Sequence, residues 1–258
     1  WITDQTDADF KSQSGTAVSL NAEDLGQMPC PSDIAFLQYT SGSTSAPKGV
    51  IVSHGNVLSQ CRSLARASDY STSSVTANWM PYFHDYGLIE GLLLPLCVGF
   101  PCYFMSPVAF IKRPIRWLEA IGRYRVTHSQ APNFAYEICL QKIAVEDRQR
   151  LDLSTWHSAA NGAEPVRPET LRAFYEAFKS CGLRWESLAP AYGLAEATLV
   201  VSATTPGRGP FLLNARLDSY QRGRIEPATE GQPFHTLPSC GHVLDETHVE
   251  IVHPESRT

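Results

Sequence analysis

Ile34-Ala35-Phe36-Leu37-Gln38-Tyr39-Thr40-Ser41-Gly42-Ser43-Thr44-Ser45-Ala46-Pro47-Lys48-Gly49-Val50-Ile51-Val52-Ser53 reads as strand, loop, strand. Two apolar runs flank a turn built from hydroxyls, glycine, proline and one lysine. Polyphosphate asks for that mixture: backbone and hydroxyl donors for its oxygens, flexibility for close approach, and a cation. The loop is not a Walker A loop. Counted from Gly42, Lys48 falls at the right offset, but Pro47 stands where the second glycine belongs and Gly49 where the magnesium-binding hydroxyl belongs. A Walker loop also opens a helix, whereas this one runs into a second strand. By itself the stretch is also compatible with a Ser/Thr-rich surface hairpin carrying an exposed lysine.

Outward from the loop, the chain alternates. Val57, Leu58, Cys61, Leu64 and Ala65 recur at helical spacing and predict a helix over 54–70. Further strands are predicted at 76–83, 100–105, 126–130 and 157–160. Helices are predicted from Asp85, a plausible N-cap, and over 114–124, 132–143 and 168–179, the last closed by Gly182. Strands alternating with helices imply an α/β layered fold with a largely parallel sheet. Residues 1–30 read as a polar connector. From 204 to 238 the pattern dissolves into Gly, Pro and Arg, which reads as a long insertion. The chain opens on Trp1 and stops just after the alternating His248-Val249-Glu250-Ile251-Val252, so both ends read as cut and predict a piece of a larger, multidomain chain.

Composition narrows the classes. Of 258 residues, 43% are hydrophobic and 18% charged, with a net charge of -5, which gives no basic stripe for nucleic acid. No apolar run reaches the length of a membrane span. The seven cysteines include no CxxC pair and read as reduced residues of a cytoplasmic protein. None of His54, His128, His157, His235, His242, His248 and His253 has metal-ligand spacing.

Several blocks then carry a resemblance. Leu37-Gln38-Tyr39-Thr40-Ser41-Gly42-Ser43-Thr44 with Pro47-Lys48-Gly49-Val50 resembles the signature loop of the adenylate-forming superfamily of acyl-CoA synthetases, luciferases and peptide-synthetase adenylation domains. Trp79-Met80-Pro81-Tyr82-Phe83-His84-Asp85-Tyr86-Gly87-Leu88-Ile89 is similar to a block of its fatty acyl-AMP ligase branch. So are Met105-Ser106-Pro107, Arg116-Trp117-Leu118, Ala131-Pro132-Asn133-Phe134-Ala135-Tyr136, Asn161-Gly162-Ala163-Glu164-Pro165-Val166 and Tyr192-Gly193-Leu194-Ala195-Glu196-Ala197-Thr198. The resemblance runs from about residue 33 to 203. It implies an α/β fold of layered sheets with flanking helices, as in the large domain of adenylate-forming enzymes, incomplete at both ends. It divides the chain into a connector (1–30), an ATP- and acyl-binding core (31–203), a family-type insertion (204–238) and the start of a following β-rich subdomain (239–258).

The resemblance implies that ATP activates a fatty acid to acyl-AMP with release of pyrophosphate. The acyl group then passes to the phosphopantetheine arm of an acyl carrier protein. It assigns phosphate binding to Thr40, Ser41, Gly42, Ser43, Thr44 and Lys48. Adenine falls to Gly162, Ala163, Glu164, Tyr192 and Gly193, with Tyr192 stacking on the ring. Glu196 would be the one protein ligand of a Mg2+ ion. His84 would lie near the acyl carboxylate and α-phosphate, and with Lys48 and Glu196 forms the catalytic set. The apolar helix begun by Leu88, Ile89, Leu92, Leu93 and Leu94 would contribute to core and acyl tunnel. Ser45 departs from the glycine most relatives carry. The ribose-gripping aspartate and the lid lysine of the family are expected beyond this C-terminus, so little turnover is expected of these 258 residues alone. A CoA ligase of the same fold and a non-catalytic adenylation-like module remain as alternatives; the intact Lys48, His84 and Glu196 argue against the second.

Overall fold

The computed structural model describes residues 28–40, 48–253 and 255–256. Alternating side chains make β1 (Ile34–Thr40) and β2 (Lys48–Ser53) an antiparallel pair, with Gln38 opposite Val50 and Thr40 opposite Lys48. The loop between them, with Ser41, Gly42, Ser43 and Thr44, lies outside the described residues. Ser53 ends β2 and caps α1 (His54–Ala67): its hydroxyl accepts from the Asn56 amide, and Asn56 Oδ1 accepts from the Ser53 amide. This reciprocal cap satisfies two donors at once and leaves no slack between the hairpin and the helix.

The rest of the chain builds β3 (Thr76–Asn78), a π-helix (Tyr86–Leu93), α2 (Leu94–Val98), β4 (Cys102–Phe104), α3 (Pro107–Lys112), α4 (Ile115–Arg123), β5 (His128–Ala131), α5 (Asn133–Lys142), α6 (Val145–Arg148), β6 (Ser158–Asn161) and α7 (Pro168–Phe178). Then come β7 (Leu188–Gly193), β8 (Val200–Ala203), β9 (Leu212–Arg216), α8 (Leu217–Tyr220), β10 (Phe234–Pro238) and β11 (His242–Val243). Seven strands form one sheet in the order β11-β8-β7-β6-β5-β3-β4, parallel from β4 through β7 and antiparallel beyond. The expected α/β fold with a largely parallel sheet is present.

Strand order decides where a crevice opens. The chain leaves β3 outward to β4 and returns past it to β5. Right-handed crossovers in opposite directions must use opposite faces. The boundary between β3 and β5 is therefore the topological switch point, where ligand crevices form at the carboxyl ends of parallel strands. Between these strands only Thr76 and His128 are in register, so they part toward those ends.

Side chains of β5 alternate between two cores. Ser129 points to one face, where its hydroxyl takes the Trp117 indole N–H at 2.8 Å and donates to the Ala77 carbonyl at 2.6 Å. Trp117, Tyr136, Trp156 and Phe174 pack edge-to-face there, from α4, α5, the β6 approach and α7. His128 points to the other face, stacked on Tyr70 with ring centroids 4.1 Å apart and bonded to the Ser68 carbonyl. Burial pushes the His128 pKa down to about 4, so it is a neutral core residue.

The helix predicted from Asp85 is present, and Asp85 does cap it, but its backbone is π rather than α. Asn78 accounts for this. Its amide reaches across to donate to the Gly87 carbonyl at 3.3 Å, while its Oδ1 accepts from the Met80 amide. A Cβ on Gly91 would lie 1.8 Å from Asn78 Nδ2, and one on Gly87 would lie 2.2 Å from the Pro81 carbonyl oxygen. Both glycines are required by this close approach. The strand expected over 76–83 ends at Asn78 for the same reason: the Met80 amide is spent on a side chain and Pro81 has no N–H.

Three further expectations change. The stretch 204–238 is not patternless, since β9 and β10 pair antiparallel with α8 between them. The alternating 248–252 is not a strand, because no neighbouring strand among the described residues receives its ladder. β7 and β8 were not expected as strands. β7 is rich in Ala, Pro and Gly, and sheet position rather than residue preference makes it a strand; β8 is a short run begun by Val200 and Val201.

Glu90 on the π-helix is buried, and the Tyr70 hydroxyl donates to its Oε1 at 2.8 Å. Burial raises its pKa to about 7, against the lowering effect of that bond. A carboxyl raised in the fold binds its proton more tightly than in the unfolded chain. Its stabilising contribution is therefore full below the usual carboxyl range and falls as pH rises from about 4.5 to about 7, by about 3 kcal/mol. Glu90→Gln is expected to flatten that fall in urea titrations across the same window; an unchanged slope would refute the assignment.

Candidate active site

A cleft of ≈ 620 Å³ opens beside the carboxyl ends of β6 and β7, with β1 and the 83–86 segment as its other wall. Thr40, His84, Gly162, Ala163, Tyr192 and Gly193 line it together, although the sequence scatters them over 154 positions. Strand ends supply all of them but His84, which comes from the turn before the π-helix. Thr40 ends β1, where the ladder sets Lys48 opposite it; Lys48 is exposed at the start of β2. Gln38, two residues before Thr40 on the same strand face, also lines the cleft and donates to the Phe83 carbonyl at 3.2 Å. That bond joins the hairpin to the segment carrying His84. Gln38 had no role in the sequence reading, although period-2 alternation from Thr40 was a signal for it.

Tyr192 is 53% exposed on β7, and its ring is open to the cleft. The β7–β8 register shifts between Tyr192 and Gly193, a bulge that turns the strand end. Gly193 cannot be replaced there, because a Cβ would lie 2.0 Å from the Leu199 carbonyl oxygen. The chain then folds into a tight turn at Ala195–Ala197 and leaves it through Thr198 at φ 73. Ala163, across the cleft, holds φ 65. Neither is glycine, and each such conformation costs about 1–3 kcal/mol unless neighbouring structure imposes it.

His84 and Asp85 form a pair. His84 Nδ1 lies 2.7 Å from Asp85 Oδ1, and the Tyr86 amide also donates to Oδ1 at 2.7 Å. The Tyr86 amide also lies 3.1 Å from Nδ1, but two bare acceptors 2.7 Å apart would repel, so the shorter contacts place the proton on Nδ1 and give the amide to Asp85 Oδ1. Nε2 is left as the nitrogen with no partner among the described residues. The Asp85 bond raises the His84 pKa, opposed by partial burial and helped by the carboxylate charge.

A second pocket of ≈ 380 Å³ adjoins the first at the switch point between β3 and β5. Trp79, Met80, Pro107, Ile111, Pro132 and Phe134 make it largely apolar. His84 and Ala163 belong to both pockets.

Among the described residues, three expected ones do not line the cleft: Lys48, opposite Thr40 on the hairpin, Glu164 and Glu196. Glu164 lines the second pocket rather than the cleft, and its Oε1 accepts from the Phe134 amide at 2.6 Å, at the start of α5. A carboxylate at a helix N-terminus is well placed there, and a family motif does not say which way its side chain turns. Glu196 lies exposed on the turn after Leu194 and Ala195, which do line the cleft. It makes no hydrogen bond or ion pair among the described residues. No group of three His, Cys, Asp or Glu among the described residues could hold a metal by itself. A lone carboxylate beside a phosphate-sized cleft does suit magnesium, which keeps waters and shares itself with substrate phosphates. All seven cysteines are free thiols, as expected. No helix among the described residues is long and apolar enough to cross a membrane.

Comparison with known proteins bears on this geometry. The profile of the family described as AMP-binding enzyme matches residues 1–258. The chain is 50% identical over 224 residues to medium-chain-fatty-acid–[acyl-carrier-protein] ligase JamA of Moorena producens, covering 86% of this chain and 38% of that protein. It is 44% identical over 227 residues to the corresponding ligase TtuA of Teredinibacter turnerae, covering 88% of this chain and 35% of that protein. It therefore spans little more than a third of the length of either relative. The crystal structure of a fatty acid AMP ligase from Legionella pneumophila superposes with a TM-score of 0.83 at 42% identity, over 90% of this chain and 41% of that one. A fatty acyl-adenylate ligase from the same organism, in complex with acyl adenylate and pyrophosphate, superposes with a TM-score of 0.79 at 44% identity, over 83% and 38%. The fold is that of the large domain of adenylate-forming enzymes, and the chain belongs to the AMP-binding enzyme family, in which it is similar to ligases that form fatty acyl adenylates.

Proposed function

We propose that the protein containing this chain activates a fatty acid in the cytoplasm as its acyl adenylate. The carboxylate attacks the α-phosphate of ATP, pyrophosphate leaves, and the acyl group then passes to the phosphopantetheine thiol of an acyl carrier protein with release of AMP. One observation carries the reading. A cleft with an open aromatic face and an apolar pocket meet at His84 and Ala163. The junction suits a molecule that is nucleotide on one side and hydrocarbon on the other.

The chain's residues act by position and charge. Tyr192 offers a face on which adenine stacks, and Gly162, Ala163 and Gly193 let it approach backbone. Thr40 and Lys48, adjacent on the hairpin, meet the outer phosphates with Ser41, Gly42, Ser43 and Thr44. His84 Nε2, when protonated, donates to charge developing where carboxylate and α-phosphate join; its Nδ1 bond to Asp85 keeps the ring oriented. Mg2+, with Glu196 as its one protein ligand, would neutralise phosphate charge. Glu164 is assigned a supporting role, holding its loop from outside the cleft. The segment 204–238 is read as the insertion that disfavours coenzyme A as acceptor.

In the whole enzyme, Lys48→Ala and His84→Ala are each expected to cut fatty-acid-dependent ATP–pyrophosphate exchange by about 10²-fold or more. Undiminished exchange in both would end the assignment, and no exchange by the wild type would favour a non-catalytic module. Of the two acceptors, loaded carrier protein is expected to consume the adenylate faster than coenzyme A; the reverse order would make the protein a CoA ligase.

The pair at His84 adds a pH signature. Its folded pKa is raised, so the stabilising contact with Asp85 is complete below the usual histidine range and is lost as pH climbs through the raised value. Asp85→Asn keeps a helix-capping oxygen but removes the charge. The His84 NMR titration midpoint should move to lower pH in that variant; an unmoved midpoint would exclude Asp85 as the cause.

A further inference from the structure

We infer that Asn133 is a positioning residue of the nucleotide cleft, acting through the 161–167 segment that supplies Gly162 and Ala163; the inference rests on the adenylate reading above. Asn133 is 2% exposed at the start of α5, and its side chain reaches both ends of that segment. Its Oδ1 accepts from Asn161 Nδ2 at 3.3 Å on one side and from the Arg167 amide at 3.1 Å on the other. Between those points the Glu164 carboxylate accepts from the amide of Phe134, the next residue along α5. The cleft-lining segment is thus tied at three points to a single helical turn.

What remains of Asn133 is fixed as well. Its Nδ2 donates to Glu137 Oε1 at 2.8 Å and to Thr170 Oγ1 at 3.2 Å, and Thr170 donates to the same Oε1 at 2.9 Å. A buried amide with all its capacity committed has one orientation. That matters because Ala163, at the crest of the segment, holds a left-handed backbone at φ 65 that relaxes unless neighbours impose it. Asn133 imposes it from beneath without touching the cleft, which it does not line.

The donor–acceptor pattern supplies the test. In Asn133→Asp, the two Oδ1 acceptances survive, but a carboxylate now faces the Glu137 carboxylate in place of a donor, and the Arg167 guanidinium 3.3 Å from Glu137 Oε1 offsets only part of that repulsion. In the double variant Asn133→Asp with Glu137→Gln, the new Gln amide donates back and the pair is restored with polarity reversed. In the whole enzyme, N133D is expected to raise KM for ATP at least about tenfold, and by more than it raises KM for the fatty acid, since Ala163 borders both pockets. It should also speed hydrogen exchange at the amides of Gly162, Ala163 and Glu164. The double variant should recover both. Unchanged exchange and ATP KM in N133D, or a double variant no better than the single one, overturns the inference while ATP binding by the wild type stands. A wild-type enzyme that binds no ATP removes the adenylate reading itself and the inference with it.

Discussion

The parallel ladder from β4 to β7 is the constraint on which the rest depends. Parallel neighbours cannot be joined by a tight turn, so each connection crosses a face of the sheet and each strand ends on the same side. The strand order 4-3-5-6-7 makes the crossovers on either side of β3 go opposite ways, which parts the strands at one place. The apolar pocket lies at that place, and the aromatic-lined cleft lies beside it, past the ends of β6 and β7. Residues far apart in sequence are neighbours because topology leaves them nowhere else to end.

Those strand ends are useful only if they hold poses the chain would not choose. Ala163 and Thr198 have positive φ, Gly193 lies against a carbonyl, and the π-helix that begins beyond Asp85 is widened around Asn78. Each departure costs energy, and the two positive-φ poses and the π-helix are each backed by a polar contact. Asn133 lies behind Ala163, the Leu194–Leu199 backbone bond closes the turn before Thr198, and Asn78 lies behind the π-helix. Strain at the cleft and buried amides beneath it are two parts of one arrangement: packing by apolar groups alone would let these loops relax.

Legibility followed the same division. Alternation and helical spacing gave the α/β plan, and motif blocks gave most of the cleft: Thr40, His84, Gly162, Ala163, Tyr192 and Gly193 line it together. What was not legible depends on side-chain direction or on neighbours. Glu164 sits inside a cleft motif, yet its side chain turns to the start of α5 and the second pocket. β7 has a weak strand preference and is a strand because it pairs with β6 on one side and β8 on the other. The π-helix has an apolar sequence that would equally suit a buried α-helix, and the Asn78 contact is what distinguishes it. Asn133 was read as one letter of a motif; its role appears only when Asn161 and Arg167, distant in sequence, are seen on one oxygen.

The two pockets also bear on how polarity is managed where they meet. An apolar pocket and a cleft proposed for polyphosphate make opposite demands: one must exclude water and the other would have to surround charge with donors. His84 stands at the boundary, half-exposed, its Nδ1 committed to Asp85 and its Nε2 uncommitted. A fixed positive charge there, such as arginine, would burden the apolar side whether or not substrate was present. A histidine whose charge is favoured by one carboxylate, and opposed by partial burial, presents charge in proportion to what faces it. The behaviour of the boundary then depends on Asp85, which also begins the π-helix. Through one side chain, the electrostatics of the junction and the start of the helix behind it are tied to the same residue.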